Sequence, residues 1–132
     1  MHVVIGSESD IILAREHGRR VGKEVGFPNA DLTRIVTAIS EIARNIVFFA
    51  ETGEITIHVI TKDNKYGIEI TAKDGGPGIQ DISLAMSDGY STRRRRGLGL
   101  PGARRLMDEF WIASDQGNGT TVTMRKWVGQ ND

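Results

Sequence analysis

The sequence contains no cysteine, only three prolines and few aromatic residues. Without cysteine, the chain forms neither disulfides nor zinc sites with thiolate ligands. Its longest apolar runs, such as IVFFA, fall far short of the roughly 20 residues that cross a bilayer. The amino-terminal stretch MHVVIGSESD is too short and too acidic for a signal peptide. These absences predict a soluble, cytoplasmic protein.

An excess of charge of either sign is also missing, because 17 lysines and arginines balance 17 acidic residues. A chain without a global positive field is poorly suited to hold nucleic acid or an anionic membrane. The four consecutive arginines at residues 93–96 are therefore a local feature. Nucleic-acid binding through them is an alternative whose signature is a steep dependence of affinity on salt.

The 132 residues fit one domain, residues 1–132, that begins with a short strand followed by a helix. We expect Ser9 or Asp10 to cap this helix, which ends before Gly26. Its expected apolar face consists of Ile12, Leu13, Val21 and Val25. A second, strongly amphipathic helix follows and stops at Gly53.

Two hairpins are predicted in the remainder, one around DNK and one around QGNG. A short helix at residues 81–86 and another at 101–109 complete the elements. The mixture predicts an α/β fold: a two-layer sandwich of a mostly antiparallel or mixed sheet with helices on one face.

The long helix contains EIARN at residues 41–45. Glu41 and Asn45 are one helical turn apart and project from the same face. A lone pair of this kind is usually a solvated polar face. With other motifs beside it, the Asn45 amide oxygen suits Mg²⁺, and Glu41 suits the proton of an attacking hydroxyl.

Two glycine-rich stretches are candidates for the nucleotide. In DGGPGI, residues 74–79, Asp74 ends a strand where it can accept from an adenine amino group. The glycines there permit positive φ and a close approach of ligand, although D-G pairs also form ordinary turns. In GLGLPG, residues 97–102, glycines feed a helix amino terminus, an arrangement that binds phosphate. This stretch is neither a Walker A loop nor a dinucleotide fingerprint.

These motifs, in this order and ending with GTT before a strand, resemble the Bergerat ATP-binding fold of gyrase, Hsp90 chaperones, histidine kinases and MutL. Within that superfamily the chain is similar to the small bacterial serine kinases of the anti-sigma type, and above all to switch kinases of the RsbT type. The segments AISEIARNI, DGGPGI, DGYST and GLPGARRLMDEF carry this resemblance, which covers essentially the whole chain.

The resemblance implies roles for individual residues. Asn45 would coordinate Mg²⁺, Glu41 would be the general base, and Asp74 would bind the adenine amino group. Further nucleotide-binding positions would be Gly76, Gly78, Ile79, Gly97, Gly99, Leu100, Gly102, and Thr120 or Thr121. Residues 80–96 would form an ATP lid, from which one arginine, with Arg96 favoured, would reach the terminal phosphate.

The resemblance also implies an ATP- and Mg²⁺-dependent serine/threonine kinase. Such kinases phosphorylate STAS-domain antagonist proteins of a stressosome-type scaffold and, once released, bind and activate a PP2C-type phosphatase. No nucleic acid or membrane is expected as a partner. The alternative is a non-catalytic nucleotide-binding anti-sigma factor or phosphatase-activating module. An ATP-binding titration separates an intact pocket from a vestigial one.

Overall fold

The computed structural model describes residues 2–50, 52–76, 99–115 and 119–129. Within these ranges the elements are β1 (His2–Ile5), α1 (Glu8–Val25), α2 (Asn29–Phe49), β2 (Gly53–Lys62), β3 (Lys65–Asp74), α3 (Gly99–Leu106), β4 (Glu109–Asp115) and β5 (Gly119–Trp127). The short helix predicted at residues 81–86 lies outside the described residues. No helix in the described part of the chain is long and apolar enough to span a membrane.

The five strands form one antiparallel sheet in the order β1-β2-β3-β5-β4. At the predicted DNK turn, Asp63 and Asn64 have φ values of 53° and 66°, which is typical of a two-residue hairpin turn. β5 lies between β3 and β4, so the end of β3 and the start of β5 are neighbours. In this register Asp74 pairs with Thr120.

The helices cover one face of the sheet, where alternate strand residues are buried. Ile55 and Ile57 of β2, and Ile68 and Ile70 of β3, join the helix side chains in one core. Burial of these branched apolar side chains is the main favourable contribution to the fold. The predicted two-layer α/β sandwich is therefore confirmed, with a sheet that is antiparallel throughout.

The start of α1 differs from the sequence prediction, because the N-cap is Ser7 rather than Ser9 or Asp10. Asp10 instead occupies the third helical position, and its carboxylate accepts from the backbone N–H groups of Gly6 and Ser7, at 2.8 and 3.0 Å. These donors, the Gly6 amide above all, hold the pKa of Asp10 below its ordinary value. The side chain of Asp10 therefore caps the helix by accepting from backbone N–H groups that precede the first turn.

The predicted apolar face of α1 is also partly wrong. The buried residues are Ile11, Ala14, Gly18, Val21 and Gly22. Ile12 and Leu13 are 57% and 45% exposed, and Val25 is half-buried. α1 therefore packs through a narrow face rich in small residues.

α2 follows its predicted periodicity but ends earlier than expected. Leu32, Ile35, Ile39 and Ile46 recur at three- or four-residue spacing and are all buried, as expected of an amphipathic helix. The helix ends with its C-cap at Ala50, whereas Gly53 is the first residue of β2. α2 therefore crosses the sheet and brings its last turns to the end of β3.

α3 also ends earlier than expected, at Leu106, and Glu109 begins β4. Its carboxyl end is held by Lys126, whose ammonium donates to the Leu106 carbonyl at 3.1 Å. Lys126 also pairs with Asp108 at 3.5 Å, and its side chain is only 9% exposed. β5 therefore holds the end of α3 through a buried charge.

Lys126→Met is expected to lower the free energy of unfolding by about 1–3 kcal/mol, because it leaves the Leu106 carbonyl without this donor. Urea unfolding of the purified protein measures the change. Lys73→Met is the matched control on the neighbouring strand, since Lys73 is exposed. Equal losses in the two variants would contradict an anchoring role for Lys126.

Candidate functional site

A small cavity lies where the last turns of α2 and the start of α3 meet β3 and β5. Its walls are Ile42, Asn45, Ile46, Ala72, Asp74, Leu100, Thr120 and Val122. Four of these, Asn45, Asp74, Leu100 and Thr120, are predicted nucleotide-binding residues. An apolar chamber with a few convergent polar groups is typical of a small-molecule site. The cavity volume is about 20 Å³, which is room for about one water molecule.

Asp74 is the last residue of β3 and is half-buried. Its Oδ1 accepts from the backbone N–H of Gly76 at 3.0 Å. This bond fixes the carboxylate and leaves Oδ2 as the second acceptor. Asp74 thus has the chemistry to receive an amino group at the cavity.

The role of Gly76 differs from the one expected from its sequence. Among the described residues, the glycines with positive φ are Gly26, Gly119 and Gly129, so Gly76 does not need left-handed backbone. A Cβ at Gly76 would instead lie 2.7 Å from the Ala50 Cβ. Close approach to the end of α2 is therefore the reason for glycine here.

Two glycines that were not predicted as site residues enclose Asp74 from both neighbouring strands. Gly119, with φ of 88°, packs so closely that a Cβ would overlap the Asp74 carbonyl oxygen. A Cβ at Gly53 would lie 2.7 Å from the Lys73 carbonyl oxygen and 3.0 Å from the Asp74 Cβ. The sequence signals were present, but Gly53 was interpreted as a helix stop and Gly119 as part of a hairpin.

The structure separates the two threonines that the sequence left open. Thr120 is buried on the helix side of the sheet and lines the cavity. Its hydroxyl lies 2.9 Å from that of Ser114, and the Ser114 hydroxyl donates to the Gly119 carbonyl at 3.1 Å. Thr121 pairs with Lys73 and belongs to the opposite face of the sheet. Thr120, supported by Ser114, is therefore the threonine at the site.

Glu41 and Asn45 lie on consecutive turns of α2, about 6 Å apart along the helix axis. Asn45 is half-buried and reaches the cavity wall, whereas Glu41 lies one turn farther back. Glu41 is not solitary, since Arg44 Nη1 donates to its Oε1 at 3.0 Å. Arg44, which was not predicted as a site residue, is therefore part of this polar group.

The amino terminus of α3 supplies the other side of the site. α3 begins at Gly99, and Leu100 is buried against the cavity. A Cβ at Gly102 would meet no described atom within 4 Å, so the first turn is open on that side. Unbonded N–H groups at such a terminus attract phosphate.

Several predicted residues lie outside the described part of the chain. These are Gly78, Ile79, Arg96 and Gly97, together with the predicted lid at residues 80–96. Their roles stay predictions.

A larger cavity of about 240 Å³ lies at the opposite end of the sheet. Two of its three acidic residues accept hydrogen bonds from Trp127, because the Trp127 indole donates to Glu109 and the Trp127 backbone donates to Asp108. None of the predicted site residues lines it. The smaller cavity is therefore the better candidate site.

The donor set near the small cavity fits Mg²⁺ bound together with nucleotide. The described residues contain no cluster of three metal-ligating side chains. Mg²⁺ is commonly held by one or two protein oxygens, substrate phosphates and water, rather than by an all-protein cage. The amide oxygen of Asn45 can supply such a protein ligand.

Together, these features place a cavity lined by Asn45, Asp74, Leu100 and Thr120 at one end of a two-layer α/β sandwich. A family model for the histidine kinase-like ATPase domain matches residues 8–126. The chain belongs to this family of ATP-binding domains. The predicted Bergerat-type resemblance is thereby confirmed.

Curated relatives narrow the comparison. The chain is 50% identical over 126 residues to the serine/threonine-protein kinase RsbT of Bacillus subtilis, covering 96% of this chain and 95% of the relative. It is 37% identical over 107 residues to an anti-sigma F factor of Caldanaerobacter subterraneus, covering 76% and 73% of the two chains. A Geobacillus kaustophilus anti-sigma F factor is 31% identical over 108 residues. These matches confirm the predicted similarity to RsbT-type and anti-sigma proteins.

Proposed function

We propose that the protein is an ATP-dependent protein serine/threonine kinase that acts in a partner switch. The observation that carries the proposal is the meeting of Asn45, Asp74 and Thr120 at one cavity. The 50% identity to a serine/threonine-protein kinase, over 96% of this chain, supports the same activity. The predicted domain extends over residues 1–132, with the lid at 80–96.

The adenine end of the nucleotide is assigned to Asp74 and Thr120. The Asp74 carboxylate accepts from the adenine amino group, while the Gly76 amide keeps the carboxylate in place. Gly53 and Gly119 keep the neighbouring backbones close to Asp74. A site that hydrogen-bonds a substrate amino group strongly rejects purines with an acceptor in its place.

The phosphate end is assigned to Asn45 and the first turn of α3. N–H groups near Gly99 and Gly102 bind phosphate oxygens, and Asn45 supplies an oxygen ligand to Mg²⁺. When bound, Mg²⁺ neutralises charge on the phosphates during transfer. Arg96 is assigned to the terminal phosphate by resemblance alone.

Glu41 is assigned to the acceptor hydroxyl. The hydroxyl oxygen of the protein substrate bonds to the γ-phosphorus of ATP as the bond from that phosphorus to the bridging oxygen breaks. The electron pair of the broken bond leaves with ADP, and the hydroxyl proton passes to the Glu41 carboxylate. Because Glu41 is 22% exposed, a protein segment can reach it.

The proposed substrates are STAS-domain antagonist proteins, and the proposed second partner is a PP2C-type phosphatase that the released kinase activates. Both assignments come from the resemblance to RsbT-type kinases. They are consistent with the similarity to proteins named as anti-sigma factors.

The proposal is tested by mixing the pure protein with Mg²⁺, labelled ATP and STAS-domain proteins. We expect transfer of label to a serine or threonine of one of them. ATP binding is titrated in parallel. Binding without transfer to any STAS protein would favour the alternative, a non-catalytic nucleotide-binding anti-sigma factor or phosphatase-activating module. Absence of both would contradict a functional ATP site.

A further inference from the structure

We propose that Arg44 is a positioning residue for Glu41: it holds one carboxylate oxygen so that the other faces the acceptor hydroxyl. The inference rests on the proposed kinase function and adds a residue to its site. Its starting observation is the 3.0 Å hydrogen bond from Arg44 Nη1 to Glu41 Oε1.

Helix geometry places the two neighbours of Glu41 on opposite flanks. At 3.6 residues per turn, Asn45 is rotated about 40° to one side of Glu41 and Arg44 about 60° to the other. Ile42 and Ile46, which line the cavity, lie on the Asn45 side. Arg44 therefore approaches Glu41 from the flank away from the nucleotide.

In this arrangement the two oxygens of the Glu41 carboxylate have different roles. Oε1 is occupied by the guanidinium, whereas Oε2 remains as an acceptor. A general base must hold its accepting atom within hydrogen-bond reach of the proton it removes. A partly exposed glutamate side chain can adopt several rotamers, and the bond from Arg44 restricts that choice. Its expected contribution is therefore to the rate of transfer rather than to nucleotide binding.

A purely stabilising role is a weaker explanation of the pair. The side chains of Arg44 and Glu41 are 41% and 22% exposed, and such surface ion pairs contribute little to stability. The same helix contains a comparable pair, in which Arg34 Nη1 donates to Asp31 Oδ1 at 2.8 Å. That pair has the same spacing and order of charges but lies near the other end of α2. It is a matched control within the same element.

The test compares Arg44→Gln with Arg34→Gln in the full chain, using phosphate transfer to the protein acceptor. We expect Arg44→Gln to lower kcat about tenfold, with the dissociation constant for ATP unchanged, as for a misplaced catalytic group. Arg34→Gln should leave kcat unchanged. Both should lower Tm equally and by no more than about 2 °C. Arg44→Lys, which keeps a charged donor, should recover most of the rate.

A double-mutant cycle with Glu41→Gln identifies the route of the effect. If Arg44 acts through Glu41, Arg44→Gln should cause no further loss of kcat in the Glu41→Gln background. A further tenfold loss there, or a kcat within twofold of wild type for Arg44→Gln alone, would overturn the positioning role. No transfer by the wild-type protein would instead overturn the proposed function itself.

Discussion

Replacement of Glu41 by glutamine is expected to lower kcat for phosphate transfer by about 10²- to 10⁴-fold, the usual contribution of a general base. Glutamine keeps the length of the side chain and an oxygen for Arg44, but it cannot take the hydroxyl proton at neutral pH. ATP affinity should stay within about twofold of wild type, because Glu41 is not among the residues that line the cavity. Single-turnover transfer and an ATP titration measure the two quantities.

Asn45→Ala is the informative comparison for Glu41→Gln. It lies on the next turn of α2 but removes an oxygen from the cavity wall. We expect it to weaken Mg²⁺-ATP binding as well as transfer. If Glu41→Gln and Asn45→Ala instead had the same effects on binding and rate, the division of roles between base and metal ligand would be wrong.

Asp74→Asn is expected to weaken ATP binding by about 100-fold, because it removes one of two acceptors that are both needed. Asp74 already uses Oδ1 to accept from the Gly76 amide. An asparagine has one oxygen, so it satisfies either Gly76 or the adenine amino group, and its NH₂ faces the other donor. Calorimetric titration with Mg²⁺-ATP measures the loss.

Base specificity gives this prediction a second readout. ITP carries an acceptor where ATP carries the amino group, so wild-type protein should bind ITP far more weakly. Asp74→Asn should narrow that preference, since its amide can turn a donor toward the base. Asp63→Asn is the control, because Asp63 lies in the β2–β3 turn with positive φ, which asparagine tolerates. An unchanged ATP-to-ITP ratio in Asp74→Asn would contradict base recognition by this carboxylate.

The extent to which sequence predicted the fold depends on the size of the buried side chains. The core face of α2 was predictable because large apolar residues recur every three or four positions, and those from Leu32 to Ile46 are buried. α1 was less predictable, because it packs partly through Gly18 and Gly22, which carry no hydrophobic signal. Ile12 and Leu13, the conspicuous apolar residues, are exposed instead.

The candidate site was also predicted only in part from the sequence. The order of motifs indicated Asn45, Asp74 and Leu100, and the structure brings all three to one cavity. The choice between Thr120 and Thr121 required the register of β5, since a shift of one residue reverses the face of every side chain. Gly53 and Gly119 were missed because their importance comes from the distance between strands, a non-local property.

The position of β5 in the sheet links the small cavity to helix α3. One end of this strand carries Thr120 at the small cavity, and the other carries Lys126, which donates to the carbonyl at the carboxyl end of α3. In the proposed site, a single strand of fixed length therefore sets the spacing between the base and the phosphates.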